Sequence, residues 1–197
     1  MIRSSRLSWG IGQMLYIISG SFFYALFMLL SSIVVNIGHI QMGTSWGKSL
    51  ILAGTTNICS TLGIQYDTVQ ISSIIVKYYT PAQAMLWSFL FLWMICIILG
   101  LIIYDFNILF QSNIVGLFAA GFLILFTAVV DGIQQLIWYS PVSWSSLNNI
   151  DVAKTTSLPG IYFVLFVYIG AILALLIAGA VLSRSRRFTF EIKNNIQ

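Results

Sequence analysis

The residues best placed to do chemistry are one carboxylate and two amides next to a long apolar run. Asp131 is followed by Gln134 at i+3 and Gln135 at i+4, so an α-helix through this region would place all three on one face. Carboxylates inside a membrane are rare and usually face a bundle interior or a water-filled cavity. The spacing predicts either a polar patch at the outer mouth of a pathway or an interfacial carboxylate that snorkels or caps.

The other polar residues do not form a catalytic or metal-binding constellation. His39 is the single histidine and has no second ligand at metal-binding spacing, and Cys59 and Cys96 are not placed to pair readily. No serine has a His–Asp pair to activate it, and no phosphate-binding GxxxxGK[ST] loop is present in the sequence. We therefore expect no enzyme activity, cofactor or metal in this chain. If ATP is involved, another chain binds it.

Composition places these residues in an integral membrane protein. Of the 197 residues, 59% are hydrophobic and only 7% are charged, whereas soluble domains carry about 25% charged residues. The mean hydropathy is +0.95, and nine Lys/Arg with five Asp/Glu cannot cover a 22.0 kDa globule in water. This composition excludes a disordered chain, which would be polar and charge-rich. With two cysteines and one histidine, it also excludes a disulfide- or metal-stapled secreted domain.

Four charge-free stretches are long enough to cross a bilayer as α-helices, which takes about 20 residues. They predict transmembrane helices at about 14–35, 84–104, 114–135 and 161–182. A β-barrel would need short segments of alternating polarity, whereas here the apolar residues run together. We therefore expect an all-α, polytopic integral membrane protein. Residues 1–197 are predicted to form a single transmembrane domain in contact with the lipid bilayer.

Residues 39–83 form a long segment of mixed polarity between the first two predicted spans. Apolar residues such as Leu50, Ile58 and Ile74 are interspersed with Ser, Thr, Gln and Asn. The mixture predicts one or two amphipathic helices lying on the outer interface. The alternatives are a re-entrant element that lines a pathway and an additional span, which would put the chain ends on opposite sides.

Basic residues flank the predicted spans at both ends of the chain: Arg3, Arg6, Arg184, Arg186, Arg187 and Lys193. Cytoplasmic segments of membrane proteins are enriched in Lys and Arg, and four spans return the chain to the side on which it started. We therefore expect a multi-pass protein of the cell membrane with both termini in the cytoplasm. The three basic residues left on the outer side are fewer and more scattered: Lys48, Lys77 and Lys154.

Asp105 and Asn107 follow the second predicted helix, in a short cytoplasmic turn. We expect Asp105 to be solvated there, and a contact with a cytoplasmic partner is the alternative.

Small residues also recur at four-residue spacing on the last two predicted helices: Gly116 and Ala120, then Gly170, Ala174 and Ala178. Such stripes let helices approach closely in lipid, so they predict packing faces within this chain or between chains.

An ordered series of short patterns resembles the ABC-2-type transporter permeases of Gram-positive bacteria. The first, which runs directly into a long apolar helix, is Arg3-x-x-Arg6-x-x-Trp9-x-x-Gly12-Gln13-x-Leu15-Tyr16. It is followed by Tyr79-x-Pro81-x-Gln83-Ala84, by Gly100 to Asn107, and by Tyr139-Ser140-Pro141-x-Ser143-Trp144. Family members usually have six transmembrane helices, and this chain resembles their C-terminal two-thirds, without the first two helices.

The resemblance implies the permease subunit of an exporter, whole or partial, that dimerises with the same or another permease chain. It implies a separate ATP-binding subunit as a further partner. In the family, the segment before the third helix follows the elbow that meets the ATPase, so the resemblance assigns coupling to Arg3, Ser4 and Arg6. The alternative is that these arginines only fix orientation and bind anionic headgroups.

A second function remains open at this point. The chain could be a small non-transporting membrane protein, such as a bacteriocin immunity or assembly factor that acts by helix association. No nucleic-acid partner is expected for either function.

Overall fold

The computed structural model describes residues 6–35, 46–48, 51, 73–130, 134–153 and 157–185. Within these ranges the α-helices are α1 (Arg6–Val35), α2 (Ser73–Tyr78), α3 (Pro81–Phe110), α4 (Val115–Val130) and α5 (Ile161–Ser185). Between α4 and α5, short 3-10 helices occupy Gln134–Tyr139, Ser143–Ser145 and Leu147–Asn149. In the described part of the chain, the β-type pairing is limited to an isolated bridge between Asp151 and Gly160. The predicted all-helical class is confirmed.

Three of the described helices are long and apolar enough to cross a membrane. They are Ser8–Val35 within α1, Pro81–Phe110 and Ile161–Arg184, with 28, 30 and 24 residues. The helix α4 has 16 residues, which at 1.5 Å per residue rise about 24 Å, less than the ~30 Å hydrocarbon core. Of the helix predicted over 114–135, the structure describes an α-helix up to Val130 and a 3-10 helix from Gln134, and residues 131–133 lie outside the described part.

The second predicted helix, at 84–104, proves longer at both ends. It starts at Pro81 because Thr80 caps it: the Gln83 N–H donates to the Thr80 hydroxyl (3.4 Å), and the Thr80 N–H donates to Gln83 Oε1 (3.1 Å). This reciprocal pair is a capping box, and proline suits the first helical position. The helix then continues to Phe110, where Gln111 takes the left-handed conformation with φ of 51°.

The first predicted helix, at 14–35, also begins earlier, at Arg6. The last one, at 161–182, begins where predicted and extends to Ser185. Of the outer segment 39–83, the structure describes residues 46–48, 51 and 73–83, which include the six-residue α2. The rest of the predicted amphipathic segment lies outside the described residues.

The helix α3 lies at the centre of the bundle and packs against α1, α4 and α5. Phe91 near the start of α3 meets Tyr168 near the start of α5, with ring centroids 6.2 Å apart, so these two helices run parallel. The start of α1 meets the end of α5, where Gly10 faces Ser183. The start of α4 meets the end of α3 at Asn107.

The bundle therefore has two distinct ends. We call the end formed by the start of α1, the end of α3, the start of α4 and the end of α5 the basic end, because Arg6 and Arg184 lie there. We call the opposite end, which carries the 3-10 helices, the cap end. Outward-facing side chains of α1, α4 and α5 are large and apolar, for example Phe27, Phe118 and Phe166, as expected of surfaces in contact with lipid.

Glycines bring the helix backbones together at the crossing points. A Cβ atom on Gly116 of α4 would collide with the Ile103 carbonyl oxygen of α3, and one on Gly100 would lie 2.6 Å from Ile17 Cγ2 of α1. Ala120, one turn after Gly116, is 3% exposed. The predicted packing face at Gly116 and Ala120 therefore joins α4 to α3 within the chain.

We expect Gly116→Ala to destabilise the protein by about 1–3 kcal/mol, because the added methyl meets backbone rather than a movable side chain. Gly121→Ala on the same helix is the matched control, since nothing lies within 4 Å of that position. The control should be neutral or slightly stabilising, because alanine favours helices over glycine by about 1 kcal/mol. Thermal unfolding in detergent measures both, and equal melting temperatures would contradict this packing.

Candidate functional site

Of the three residues predicted to line a pathway, Gln134 and Gln135 are described, at the cap end. Asp131 lies outside the described residues. Gln134 and Gln135 open the 3-10 helix Gln134–Tyr139, and their side chains also lie outside the described part. Their role at the mouth of a pathway stays a prediction.

Of the three residues predicted to couple to an ATPase, Arg6 is described, at the basic end. Arg3 and Ser4 lie outside the described residues, and Arg6 is the first residue of α1. Arg184, in the last turn of α5, is exposed at the same end. The predicted coupling segment therefore leads into the end of the bundle at which α3 also terminates.

Asp105 is buried, so the prediction that it is solvated in a turn is wrong. Because α3 continues to Phe110, Asp105 stays on the inward stripe of that helix, one turn after Leu101 and before Ile108. Only 5% of its surface is exposed, comparable to its neighbours on the stripe. This carboxyl group therefore lies at a helix packing interface.

The Asp105 carboxyl group lies over a glycine of α5. A Cβ atom on Gly179 would be 2.6 Å from Asp105 Oδ1, 2.6 Å from Met14 Cε and 3.2 Å from Tyr104 Cε1. These three atoms, from α3 and α1, converge on Gly179, where α5 has no side chain. Any larger residue at position 179 would displace one of them.

A second glycine completes the contact between the same three helices. A Cβ atom on Gly10 of α1 would lie 2.7 Å from both Cβ and Oγ of Ser183 and 3.2 Å from the Tyr104 hydroxyl. Ser183 has no exposed surface, and its hydroxyl donates to the Ala180 carbonyl oxygen at 2.9 Å. We call this set the Asp105 junction; its members are Gly10, Met14, Tyr104, Asp105, Gly179 and Ser183.

The junction contains polar atoms that nothing satisfies. Within the described residues, neither Asp105 carboxyl oxygen nor the Tyr104 hydroxyl has a hydrogen-bond partner. Burying a polar group without a partner costs about 1–3 kcal/mol in proteins, and an ionised carboxylate costs more. An ionisable residue inside a membrane bundle is by default a functional candidate. The Asp105 junction is therefore the strongest candidate site in the described part of the chain.

The described side chains of this site can hold a proton or a charge. Among the described residues there is no group of three or more His, Cys, Asp or Glu side chains that could hold a metal ion. Cys96, which precedes Asp105 on α3, is half-buried and forms no disulfide. The junction thus offers one carboxyl group beside a phenol.

Asn107, two residues after Asp105, caps the next helix. Its Oδ1 accepts a hydrogen bond from the Gly116 N–H at 3.0 Å, which satisfies one of the free N–H groups at the start of α4. The predicted pattern from Gly100 to Asn107 is thus explained by packing, since Gly100 contacts α1 and Asn107 holds α4.

The pattern Tyr139-Ser140-Pro141-x-Ser143-Trp144 forms the cap end. The Trp144 indole N–H donates to the Ile137 carbonyl oxygen (2.7 Å), and the Tyr168 hydroxyl donates to the Pro141 carbonyl oxygen (2.6 Å). The Ser143 hydroxyl donates to the Ser140 hydroxyl oxygen (2.9 Å). The Tyr168 bond fastens the loop between α4 and α5 onto α5, and the other two bonds fix the loop's own conformation. This pattern too therefore has a structural role.

A further hydrogen bond fastens the chain before α3 at the same end. The Trp46 indole N–H donates to the Tyr79 carbonyl oxygen at 2.6 Å. Partial burial raises the pKa of the Tyr79 hydroxyl above its usual range, and the Tyr162 hydroxyl adds to the rise. Tyr79 is therefore neutral at physiological pH and adds no charge to the cap end.

The sequence contains one signal for the junction, in the spacing of residues along α3. Met94, Ile98, Leu101, Asp105 and Ile108 recur at spacings of three and four, the period of one helix face. Because the predicted helix ends at Tyr104, it does not include Asp105 in that face. Ser183 and Gly179 lay at the end of the last predicted helix, but nothing in their spacing indicated which helix they face.

We expect Asn107→Ala to destabilise the contact between α3 and α4 by about 1 kcal/mol, the usual cost of losing a side-chain cap. Asn107→Asp should keep most of the stability, because a carboxylate oxygen also accepts from the Gly116 N–H and suits a helix N-terminus. Denaturant titration in detergent compares the two. A larger loss for Asn107→Asp than for Asn107→Ala would contradict the capping role.

No family model matches this chain, and no curated protein or solved structure matches it either. The likeness to ABC-2-type permeases therefore stands on the ordered patterns alone, and most of the described pattern residues prove to be packing and capping residues.

Proposed function

We propose that the chain is a membrane-spanning permease subunit, whole or partial, of an ABC-type exporter whose ATPase is a separate protein. The observation that carries the proposal is the convergence at the basic end. The start of α1, the turn between α3 and α4, and the end of α5 meet there, and Arg6 and Arg184 mark the same end. This gives a separate cytoplasmic subunit one continuous surface to bind.

Four crossings are part of this proposal. The helix α4 starts at the basic end beside Asn107 and runs toward the cap end, where Val130 is buried in the same cluster as Ile137 and Trp144. Although α4 is short, it connects the same two ends as the longer helices. Four crossings put both termini on the basic side, which the enrichment of Lys and Arg in cytoplasmic segments assigns to the cytoplasm.

A second permease chain is proposed as the dimer partner. The predicted small-residue face of α5 at Gly170, Ala174 and Ala178 is exposed, and nothing lies within 4 Å of a Cβ atom built on Gly170. Gly10, Gly100, Gly116 and Gly179 are all used in packing inside the chain. The exposed face supports association with another helix.

The proposed pathway would include a groove on the surface of this chain. A groove of about 200 Å³ separates the end of α1 from the start of α3 and is lined by Ser32 and Ser88 among apolar side chains. Asp131, Gln134 and Gln135 are proposed to add polar groups at the outer mouth. Coupling to the ATPase is assigned to Arg3, Ser4 and Arg6 by the family resemblance.

The same exposed α5 face favours a second candidate function. A small membrane protein that acts only by helix association, such as an immunity or assembly factor, would also need such a face. It would need no ATPase, so the two functions are distinguished by their partners.

The coupling proposal is tested by reversing two charges, Arg3→Glu together with Arg6→Glu. If these residues contact the ATPase, the double variant should co-purify with less of it in mild detergent. Topology should stay intact, because Arg184, Arg186 and Arg187 hold the other end inside. If the arginines only bind headgroups, at about 1 kcal/mol each, insertion or topology should change instead.

Topology is read from the labelling of Ser5→Cys and Asn194→Cys in a cysteine-free background. Both should react only from the cytoplasm, and reaction from opposite faces would rule out four crossings. Lys48→Glu with Lys77→Glu reverses two charges outside the basic end and should leave the ATPase bound. If the unmodified protein co-purifies with no ATPase, the association function replaces the permease.

A further inference from the structure

The Asp105 carboxyl group is surrounded mainly by carbon. Leu101 and Ile108 are its neighbours on the same face of α3. The Met14 methyl group and the edge of the Tyr104 ring pack against Gly179 at the same point as the carboxyl group. Both carboxyl oxygens are buried and lack a hydrogen-bond partner within the described residues. In such surroundings an ionised carboxylate is strongly disfavoured, and the neutral acid is the form that fits.

We propose that Asp105 is a proton-binding site of the closed bundle, which releases its proton when α1 and α5 separate from α3. On release, the carboxyl O–H bond breaks, its electron pair stays on the oxygen, and the proton passes to water that enters from the basic end. The resulting carboxylate is stable only in the opened junction, where water can solvate it.

A proton suits the junction better than a metal ion. Calcium takes six to eight oxygen ligands and magnesium needs an octahedral set. The oxygen-bearing side chains of the junction are those of Asp105, Tyr104 and Ser183, and the Ser183 hydroxyl already donates to Ala180. The tight contacts over Gly179 leave no room for the missing ligands.

Few other charged or titratable groups face Asp105 from the helices packed on it. Tyr104 precedes it on α3, and its hydroxyl points toward Gly10. On α5, Gly179 and Ser183 face the junction, while Arg184 is exposed beside Ser183. On α1, Gly10 and Met14 face it, and Arg6 begins the helix one turn before Gly10. Among the described groups that face the junction, Asp105 is therefore the one carboxyl group that can take up or release a proton.

Opening is linked to pH with a definite sign. The closed junction holds one proton that the open junction releases, so low pH favours closure and rising pH favours opening. For one proton, the ratio of open to closed forms increases by at most about tenfold per pH unit. The proposal does not depend on whether the chain is a permease or an association factor.

The test measures labelling of Ser183→Cys by a water-soluble maleimide in a cysteine-free background. Because position 183 is fully buried in the closed junction, its rate reports opening. Labelling rates are measured from about pH 5 to about pH 9, a range that covers carboxyl groups perturbed by burial. Each rate is divided by the labelling rate of Ser8→Cys at the same pH, because position 8 is exposed. We expect this ratio to rise with pH, by up to about tenfold per unit, and to stay low and flat after Asp105→Asn.

Three results would overturn the proposal. The ratio could be independent of pH in the protein with Asp105, or it could rise equally after Asp105→Asn, which would assign the titration to another group. It could also follow sodium or potassium concentration at constant pH, which would indicate a metal ion.

Infrared spectroscopy of the unmodified protein is a second measurement, independent of whether Asp105→Asn folds. A protonated carboxyl band should be present at neutral pH and should persist in Asp131→Asn. Absence of the band in the unmodified protein would also overturn the proposal.

Discussion

Close approach of helix backbones at four glycines holds the described bundle together. In lipid, helices gain little from hydrophobic burial, so their association depends on close packing and polar contacts. At Gly10 and Gly179, α1 and α5 pack against the end of α3. The Ile17 side chain of α1 packs against Gly100 of α3, and Gly116 lets α4 contact the α3 backbone. The positions of Asp105 and Asn107 follow from these contacts.

The same close packing gives Asp105 its environment. If α3 ended at Tyr104, water would reach the carboxyl group; because α3 continues to Phe110, α1 and α5 close over it. Asn107 lies two residues further along and faces α4 instead, where its side chain finds a backbone partner. Two polar residues on one helix thus have opposite roles: Asn107 is satisfied and structural, whereas Asp105 is unsatisfied and available for a change of charge.

Composition and charge-free runs predicted the helical membrane fold and the order of its long helices, because these depend on local hydrophobicity. Helix ends were predicted less well. The start of α3 has a signal in the sequence, because Thr80 and Gln83 occupy the positions that a capping box requires. The candidate site was missed because burial of Asp105 depends on which residues of α1 and α5 lie opposite it, and spacing within one helix does not determine that.

The burial of Asp105 depends most directly on the contact between α1 and α5 at the basic end. Disulfide formation between Gly10→Cys and Ser183→Cys, in a background without Cys59 and Cys96, measures this contact, since a disulfide needs Cβ atoms about 3.5–4.5 Å apart. A Cβ atom built on Gly10 would lie 2.7 Å from Ser183 Cβ, closer than a disulfide allows. We therefore expect this pair to cross-link once α1 and α5 move apart by about 1 Å. We expect no cross-linking of Gly12→Cys with Ser183→Cys, because Gly12 is on the same helix but faces open space. Equal cross-linking of the two pairs, or cross-linking only through position 12, would contradict the arrangement.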